Sequence, residues 1–184
     1  LIDAPAGMWC SQIGYGRKEI AQTMSDQAMM LSYNSPWYTT SSPAALLSKK
    51  IAEFTPGDLN HIFFTSGGST AVDSALRFVQ FYQHSRGKPN KQIILARLNG
   101  YHGSTHLAAA CSGDVTSKPK FNLDQEPVSF LSSPNSLKLP EGISKDDFCD
   151  FLLDELRERI KDLGAENIGA LIAEPVQASG GVII

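Results

Sequence analysis

No apolar run among the 184 residues approaches the length that crosses a bilayer, and no basic-then-apolar leader opens them. A membrane is therefore not an expected partner. Charge of one sign is also scarce. Sixteen Lys and Arg stand against 19 Asp and Glu, a formal net charge of -3. Without a basic excess, nucleic acid is not an expected partner either. The three cysteines, Cys10, Cys111 and Cys149, lie far apart with no paired spacing. Such an odd, scattered set reads as free thiols in a reducing compartment, most simply the cytoplasm. Two nucleotide signatures are missing: no G-x-G-x-x-G and no Walker G-K-[ST] accompany the glycine turn described next, which disfavours dinucleotide binding.

What is present is one organising stretch, His61 to Arg77. Ile62-Phe63-Phe64 has the composition of a buried strand. Gly67-Gly68 breaks it, and Ala71, Ala75, Phe78 and Tyr82 then recur at helical spacing. Strand, tight turn and helix make an anion-binding design, because the first N–H groups of a helix lack internal partners and the dipole adds positive potential there. Gly67 and Gly68 allow close approach of a phosphate, and Ser69 adds a hydroxyl donor. An ordinary strand-to-helix turn has the same composition, and this stretch alone does not separate the two readings.

Elsewhere, Ile20, Met24, Ala28 and Leu31 predict a helix from Lys18, and Pro36 breaks it. Ser42-Pro43 reads as an N-cap followed by Pro at the first helical position. Gln92–Arg97, Val128–Leu131 and Ile168–Ala173 read as strands, and residues 114–126 as an excursion loop. Ser144 with Asp147 approximates a capping box, and Phe148, Leu152, Leu156, Ile160 and Leu163 form a stripe that Gly164 closes. Strands apolar on both faces, alternating with helices, predict an α/β fold with a mostly parallel sheet. Ligands collect at the carboxyl ends of such strands. Ser66–Ser69, Tyr101 and Glu174 all stand just past predicted strands, and Pro175 fixes the backbone at Glu174 as extended. His102 and His106, four apart, lack a third ligand and an intervening acid, so no metal site is expected. Trp9, Trp37 and Tyr38 are large aromatics in loop-like segments, suited equally to core or pocket wall.

The ordered set Phe63-Phe64-Thr65-Ser66-Gly67-Gly68-Ser69-Thr70-Ala71-Val72-Asp73, Gly100-Tyr101-His102-Gly103 and Ala173-Glu174-Pro175-Val176-Gln177 resembles the class III aminotransferases. These are pyridoxal-phosphate enzymes of fold type I, and the likeness is greatest to their pyruvate-dependent omega-aminotransferase branch. Ala6-Gly7-Met8-Trp9-Cys10 and Gly14-Tyr15-Gly16-Arg17-Lys18 resemble that branch's N-terminal region. The resemblance implies residues 1–40 as an N-terminal segment with substrate-pocket loops, and 41–184 as the first part of the cofactor-binding large domain. It implies pyridoxal 5'-phosphate held by Gly67, Gly68 and Ser69, with Tyr101 stacked on its ring, His102 behind that wall and Glu174 in the hydrogen-bond network beneath. Trp9 would line the substrate pocket, and Trp37 or Tyr38 would reach the neighbouring subunit's pocket in a homodimer with shared active sites. The implied partners are a small amine or amino acid and a keto acid.

Two departures stand out. Ser66-Gly67-Gly68-Ser69-Thr70 replaces the frequent Asn-Ser-Gly-Ser-Glu, losing a hydroxyl and a carboxylate near the phosphate. Ser179 stands where ornithine- and aminobutyrate-type members carry Glu, which favours a pyruvate-type acceptor. The chain stops at Gly180-Gly181-Val182-Ile183-Ile184 as an apolar strand begins, so it is expected to be part of a longer polypeptide. The family's Schiff-base lysine and the aspartate on the pyridine nitrogen would follow Ile184, and these 184 residues alone would be inactive. Rival expectations are another fold type I activity, such as an aminomutase, or a non-catalytic phosphate-binding α/β unit.

Overall fold

The computed structural model describes residues 2–114, 116, 118–123 and 126–184, so positions 115, 117, 124 and 125 of the expected excursion loop lie outside the described residues. The chain divides into two compact units, residues 1–63 and 64–184. This boundary of contacts lies later than the division of roles expected after residue 40.

The first unit holds α1 (Ala6–Trp9), α2 (Lys18–Leu31) and α3 (Ser42–Ala52). α1 is a single left-handed turn, with φ of 48° at Ala6, 61° at Gly7, 56° at Met8 and 66° at Trp9. Side chains other than glycine disfavour that region. Asp3 ties the turn down by accepting from Gly7 N and from the Tyr15 hydroxyl, both at 2.7 Å. α2 matches the predicted helix, yet it buries no residue. In α3 the cap is Ser41, one residue before the expected Ser42. Its backbone is extended and its hydroxyl accepts from Ala44 N at 3.4 Å. Pro43 is tolerated in this first turn because the N–H it lacks would have had no helical partner.

The second unit holds α4 (Gly68–Ser85), β1 (Ile93–Arg97), α5 (His106–Cys111), a 3₁₀ turn at Lys118–Phe121, β2 (Val128–Leu131), α6 (Phe148–Leu163) and β3 (Ile168–Leu171). The strands form a parallel sheet in the order β2-β1-β3. β1 is central, and its Ile94, Leu95 and Ala96 are buried, as the unbroken apolar run required. Leu76, Ile94, Ala96 and Cys111 form the core, with Val72, Val79, Leu107, Val128, Phe130, Ala170 and Ile172 packed against it.

Three expectations need correction here. The 61–65 stretch forms no ladder with any described residue, and Phe63 is 80% exposed. Apolar, aromatic composition makes a segment suited to a strand, but a strand requires an edge to pair with. The buried face of α4 is Val72, Leu76 and Val79, while Phe78 and Tyr82 of the expected face are exposed and stack on each other at 6.3 Å. The two apolar stripes stand one residue apart in sequence, roughly 100° around the helix, and periodicity does not say which one meets the sheet. α6 begins at Phe148 rather than near Ser144. Ser144 Oγ accepts from Asp147 N at 3.2 Å and donates to Asp147 Oδ2 at 2.6 Å, so the box closes a turn ahead of the helix.

α6 is fastened to β2 by polar bonds. Glu155 accepts from Ser132 N and Oγ, and Arg159 donates to Ser129 Oγ at 2.7 Å and Phe130 O at 3.0 Å. The excursion loop returns to the core through Lys118, whose buried ammonium donates to Ala110 O and lies 3.9 Å from the centre of the Phe130 ring. None of the described helices is long and apolar enough to cross a membrane.

Candidate functional site

The start of α4 is built as a donor cluster. Gly67 precedes the helix with extended backbone, and nothing lies within 4 Å of where a Cβ would stand at Gly67 or Gly68. Helix geometry leaves the Gly68, Ser69 and Thr70 N–H groups without intrahelical partners. The Gly67 carbonyl accepts from Ala71 N at 3.0 Å, from Thr70 Oγ1 at 2.8 Å and from Thr65 Oγ1 at 3.1 Å. These bonds turn the carbonyl into the helix and leave the open side to N–H groups and the positive end of the dipole.

Ser69 joins this helix start to the loop after β1. Its Oγ accepts from Ser104 N at 3.0 Å, leaving its own hydroxyl hydrogen to donate. Its carbonyl accepts from Thr105 Oγ1 at 3.0 Å. Gly103, at φ 136°, lies so close that an added Cβ would come within 2.7 Å of Ser69 Oγ and 2.8 Å of Ser69 Cα. Asp73, four residues into the helix from Ser69, accepts from Ala108 N at 2.8 Å. It thus satisfies a first-turn N–H of α5, whose own Thr105 provides no side-chain cap.

Tyr101 and Glu174 meet at the strands' carboxyl ends. Glu174 Oε1 accepts from Tyr101 N at 2.8 Å, and Oε2 accepts from Ala178 N at 3.3 Å. A carboxylate 73 residues away therefore holds the backbone that aims Tyr101, whose side chain stays half exposed. His102 turns inward. Its N–H donates to Ser112 Oγ at 2.9 Å, its ring is buried, and its Nε2 has no partner among the described residues. A methyl group at Gly100 would stand 3.4 Å from that Nε2 and 3.5 Å from Glu174 Oε1, so both polar groups border one point of backbone. Burial lowers the His102 pKa below its ordinary 6.5, with the Glu174 charge opposing in part, and the imidazole stays neutral at pH 7.

The structure brings Gly67, Gly68, Ser69, Tyr101, His102 and Glu174 into one unit around the carboxyl ends of β1 and β3. Trp9, Trp37 and Tyr38 belong to the other unit, where all three are exposed. His106 pairs with Glu126 at 2.8 Å rather than with His102. Among the described residues no trio of His, Cys, Asp or Glu gathers as a metal site. Sequence reasoning gave no role to Asp73, Ser104, Ser112 or Gln177. Asp73 and Gln177 lay inside quoted motifs, but pairing them with Ala108 and Leu98 required the fold.

A parallel α/β unit with an open glycine helix start, a half-exposed tyrosine and a carboxylate at the strand ends has free N–H donors and positive helix potential, the chemistry that suits an anion. The class III aminotransferase family matches residues 1–184, and the chain belongs to it. It is 35% identical over 185 residues to putrescine--pyruvate aminotransferase of Pseudomonas aeruginosa, covering all of this chain and 41% of that protein. It is 36% identical over 186 residues to a mitochondrial gamma-aminobutyrate transaminase of Oryza sativa, covering 99% of this chain and 36% of that protein. Among solved structures, an (S)-enantioselective omega-transaminase from Thermomicrobium roseum superposes with a TM-score of 0.94 at 33% identity, covering all of this chain and 41% of that one. A pyridoxal-phosphate-bound aminotransferase mutant from Vibrio fluvialis does so at 0.91 and 31% identity, covering 97% of this chain and 40% of that one. The fold is thus part of the fold type I architecture, and the chain spans about two fifths of the length of these relatives.

Proposed function

We propose that this chain is the cofactor-binding part of a pyridoxal-phosphate-dependent transaminase, passing an amino group from an amine or amino acid to a keto acid. The observation that carries this reading is the helix start at Gly68–Thr70, with open space where a Cβ would stand at Gly67 and Gly68, beside a loop that presents Tyr101 and Glu174. An anion fits there by charge, and a flat ring fits beside a half-exposed tyrosine.

In this reading the Gly68 and Ser69 N–H groups and the Ser69 hydroxyl donate to the phosphate. Thr70 replaces a carboxylate at the family's position, so backbone donors meet the phosphate with no like charge alongside. Tyr101 covers one face of the ring. Glu174 holds Tyr101 in place, and neutral His102 supports the wall without adding positive charge beneath it. Pyridoxal phosphate supplies the electron-withdrawing ring that makes a substrate amine's neighbouring C–H bond labile. The lysine that carries the cofactor and the aspartate on its pyridine nitrogen are expected in residues following Ile184.

Three finer expectations belong to the same proposal. Residues 1–40 supply substrate-pocket loops, with Trp9 on the pocket wall and Trp37 or Tyr38 reaching the partner's site in a homodimer. Ser179 stands where ornithine- and aminobutyrate-type members carry the glutamate that helps switch an arginine between substrates of different charge, and the lack of that glutamate favours pyruvate. The scattered free cysteines suit the cytoplasm. The name of the Pseudomonas relative, a putrescine--pyruvate aminotransferase, is consistent with that acceptor.

The test uses the full-length protein with pyridoxal phosphate, a simple amine and pyruvate. Release of alanine with ping-pong kinetics is expected. Isomerisation of a single amino acid without any acceptor would favour an aminomutase, and failure to take up pyridoxal phosphate would leave only a phosphate-binding unit.

A further inference from the structure

Among the described residues, Gln177 is one of three buried polar or charged side chains, with His102 and Lys118, and it is 1% exposed. The reading above gives it no role. Its amide spans the exits of all three strands. Nε2 donates to Leu98 O, just past β1, at 3.0 Å. Oε1 accepts from Ser133 Oγ, just past β2, at 2.6 Å. Gln177 itself follows β3, and its backbone exchanges bonds with Ile183 at 2.9 and 3.2 Å, closing the 178–182 loop. That loop presses on the turn after β1, where a Cβ at Gly180 would come within 2.7 Å of Asn99 O. Asn99 holds φ 62° there, and two residues later comes Tyr101, with its N–H on Glu174.

From this clasp we infer that Gln177 is a positioning residue for the ring wall. It fixes Leu98, and so the turn that aims Tyr101, against the same loop that carries Glu174. A primary amide of this length serves both neighbours at once, donating to the Leu98 carbonyl at one end and accepting from the Ser133 hydroxyl at the other. A glutamate at this position would set a carboxylate against the Leu98 carbonyl, and a methionine would keep the shape while removing the amide partner of the partly buried Leu98 O and Ser133 Oγ. The proposal rests on the reading of the site as a pyridoxal-phosphate site, but the clasp also acts on the protein without cofactor.

The experiment compares full-length wild type, Gln177→Met, Gln177→Glu and the milder Ser133→Ala. Three readouts are taken: pyridoxal-phosphate dissociation constant, visible circular dichroism of the bound cofactor, and hydrogen exchange at Gly100 and Tyr101 in the cofactor-free protein. Gln177→Met is expected to weaken cofactor binding by about ten- to a hundredfold, change the visible dichroic band and speed Tyr101 amide exchange, with Ser133→Ala shifting each in the same direction by less. Should both Gln177 variants fail to fold, Ser133→Ala decides by the same readouts. Lowered thermal stability with wild-type exchange at Tyr101 and an unchanged dichroic band would overturn the proposal, leaving a structural amide only. Should the wild type bind no pyridoxal phosphate, the functional reading falls, and faster Tyr101 exchange in the variants would still support the clasp.

Discussion

The two units use the same kind of helix to opposite effect. α2 and α3 in residues 1–63 are amphipathic and bury nothing, and Met24, Met29, Met30 and Phe54 are largely exposed. α4 and α6 in residues 64–184 are amphipathic to a similar degree, yet each gives a residue to the interior, Leu76 and Phe148. The difference is the parallel sheet. A helix stripe gains hydrophobic free energy only against a surface that excludes water, and Ile94 and Ala96 of β1 offer that surface to Leu76 of α4. Periodicity therefore reports a helix's intention to pack, and the partner decides whether packing occurs.

Mutations can break this comparison, beginning with the central strand. Leu95→Ala, at a side chain 2% exposed, is expected to destabilise the fold by about 2–5 kcal/mol; a denaturant midpoint unchanged from wild type would show that β1 does not organise the core. Thiol chemistry gives the next contrast. Burial pushes the Cys111 thiol up from 9.0 to about 11, so its thiolate fraction at pH 8 falls roughly a hundredfold below that of an ordinary thiol. A native protein titrated with a disulfide reagent should modify the exposed Cys10 and Cys149 quickly, and Cys111 only on unfolding.

Gly103→Ala sharpens the site end of the comparison. It combines an unfavourable φ with a collision against Ser69 and should cost about 1–3 kcal/mol. It should also weaken phosphate or pyridoxal-phosphate binding, measured by calorimetry, because Ser69 must move. A smaller effect follows from His102. Its folded pKa lies below the unfolded 6.5, so the unfolded chain binds the proton more readily. The stability this histidine contributes is complete above pH 6.5 and declines as pH falls through 6.5 toward the folded value. His102→Gln should flatten that part of the pH–stability curve. The smallest change is expected in the first unit: Met29→Gln, at a side chain 86% exposed, should shift unfolding by no more than about 0.5 kcal/mol.

Local chemistry made much of this architecture legible beforehand. β2 falls at Val128–Leu131 and α2 begins at Lys18, as their composition and spacing indicated. Gly164 closes α6 at φ 77°, a positive φ that glycine adopts without a Cβ clash, and that property belongs to one residue in sequence. The glycine helix start at Gly67–Ser69 was visible for the same reason. What was not visible depended on neighbours distant in the chain. On α4 the apolar spacing runs through Phe78 and Tyr82 while Val72, Leu76 and Val79 meet the core, because Phe78 and Val79 are equally apolar and only the sheet distinguishes them. Ile62–Phe64 had a strand's composition without a strand's pairing. Lys118 falls within the expected excursion loop, and its ammonium is buried on Ala110 O.

The amino-acid order by itself determined α2, the strands β1 to β3 and the glycine turn that offers free N–H groups, because each is written within a short window of chain, and the order of its motifs carried the family resemblance. The tertiary structure alone decided that Glu174 holds Tyr101, that Asp73 caps α5 and that Gln177 spans three strand exits. Those partners lie 35 to 79 residues apart. Hydrogen bonds of such reach exist only once a parallel sheet has brought the strand ends together, since no local rule of spacing encodes them.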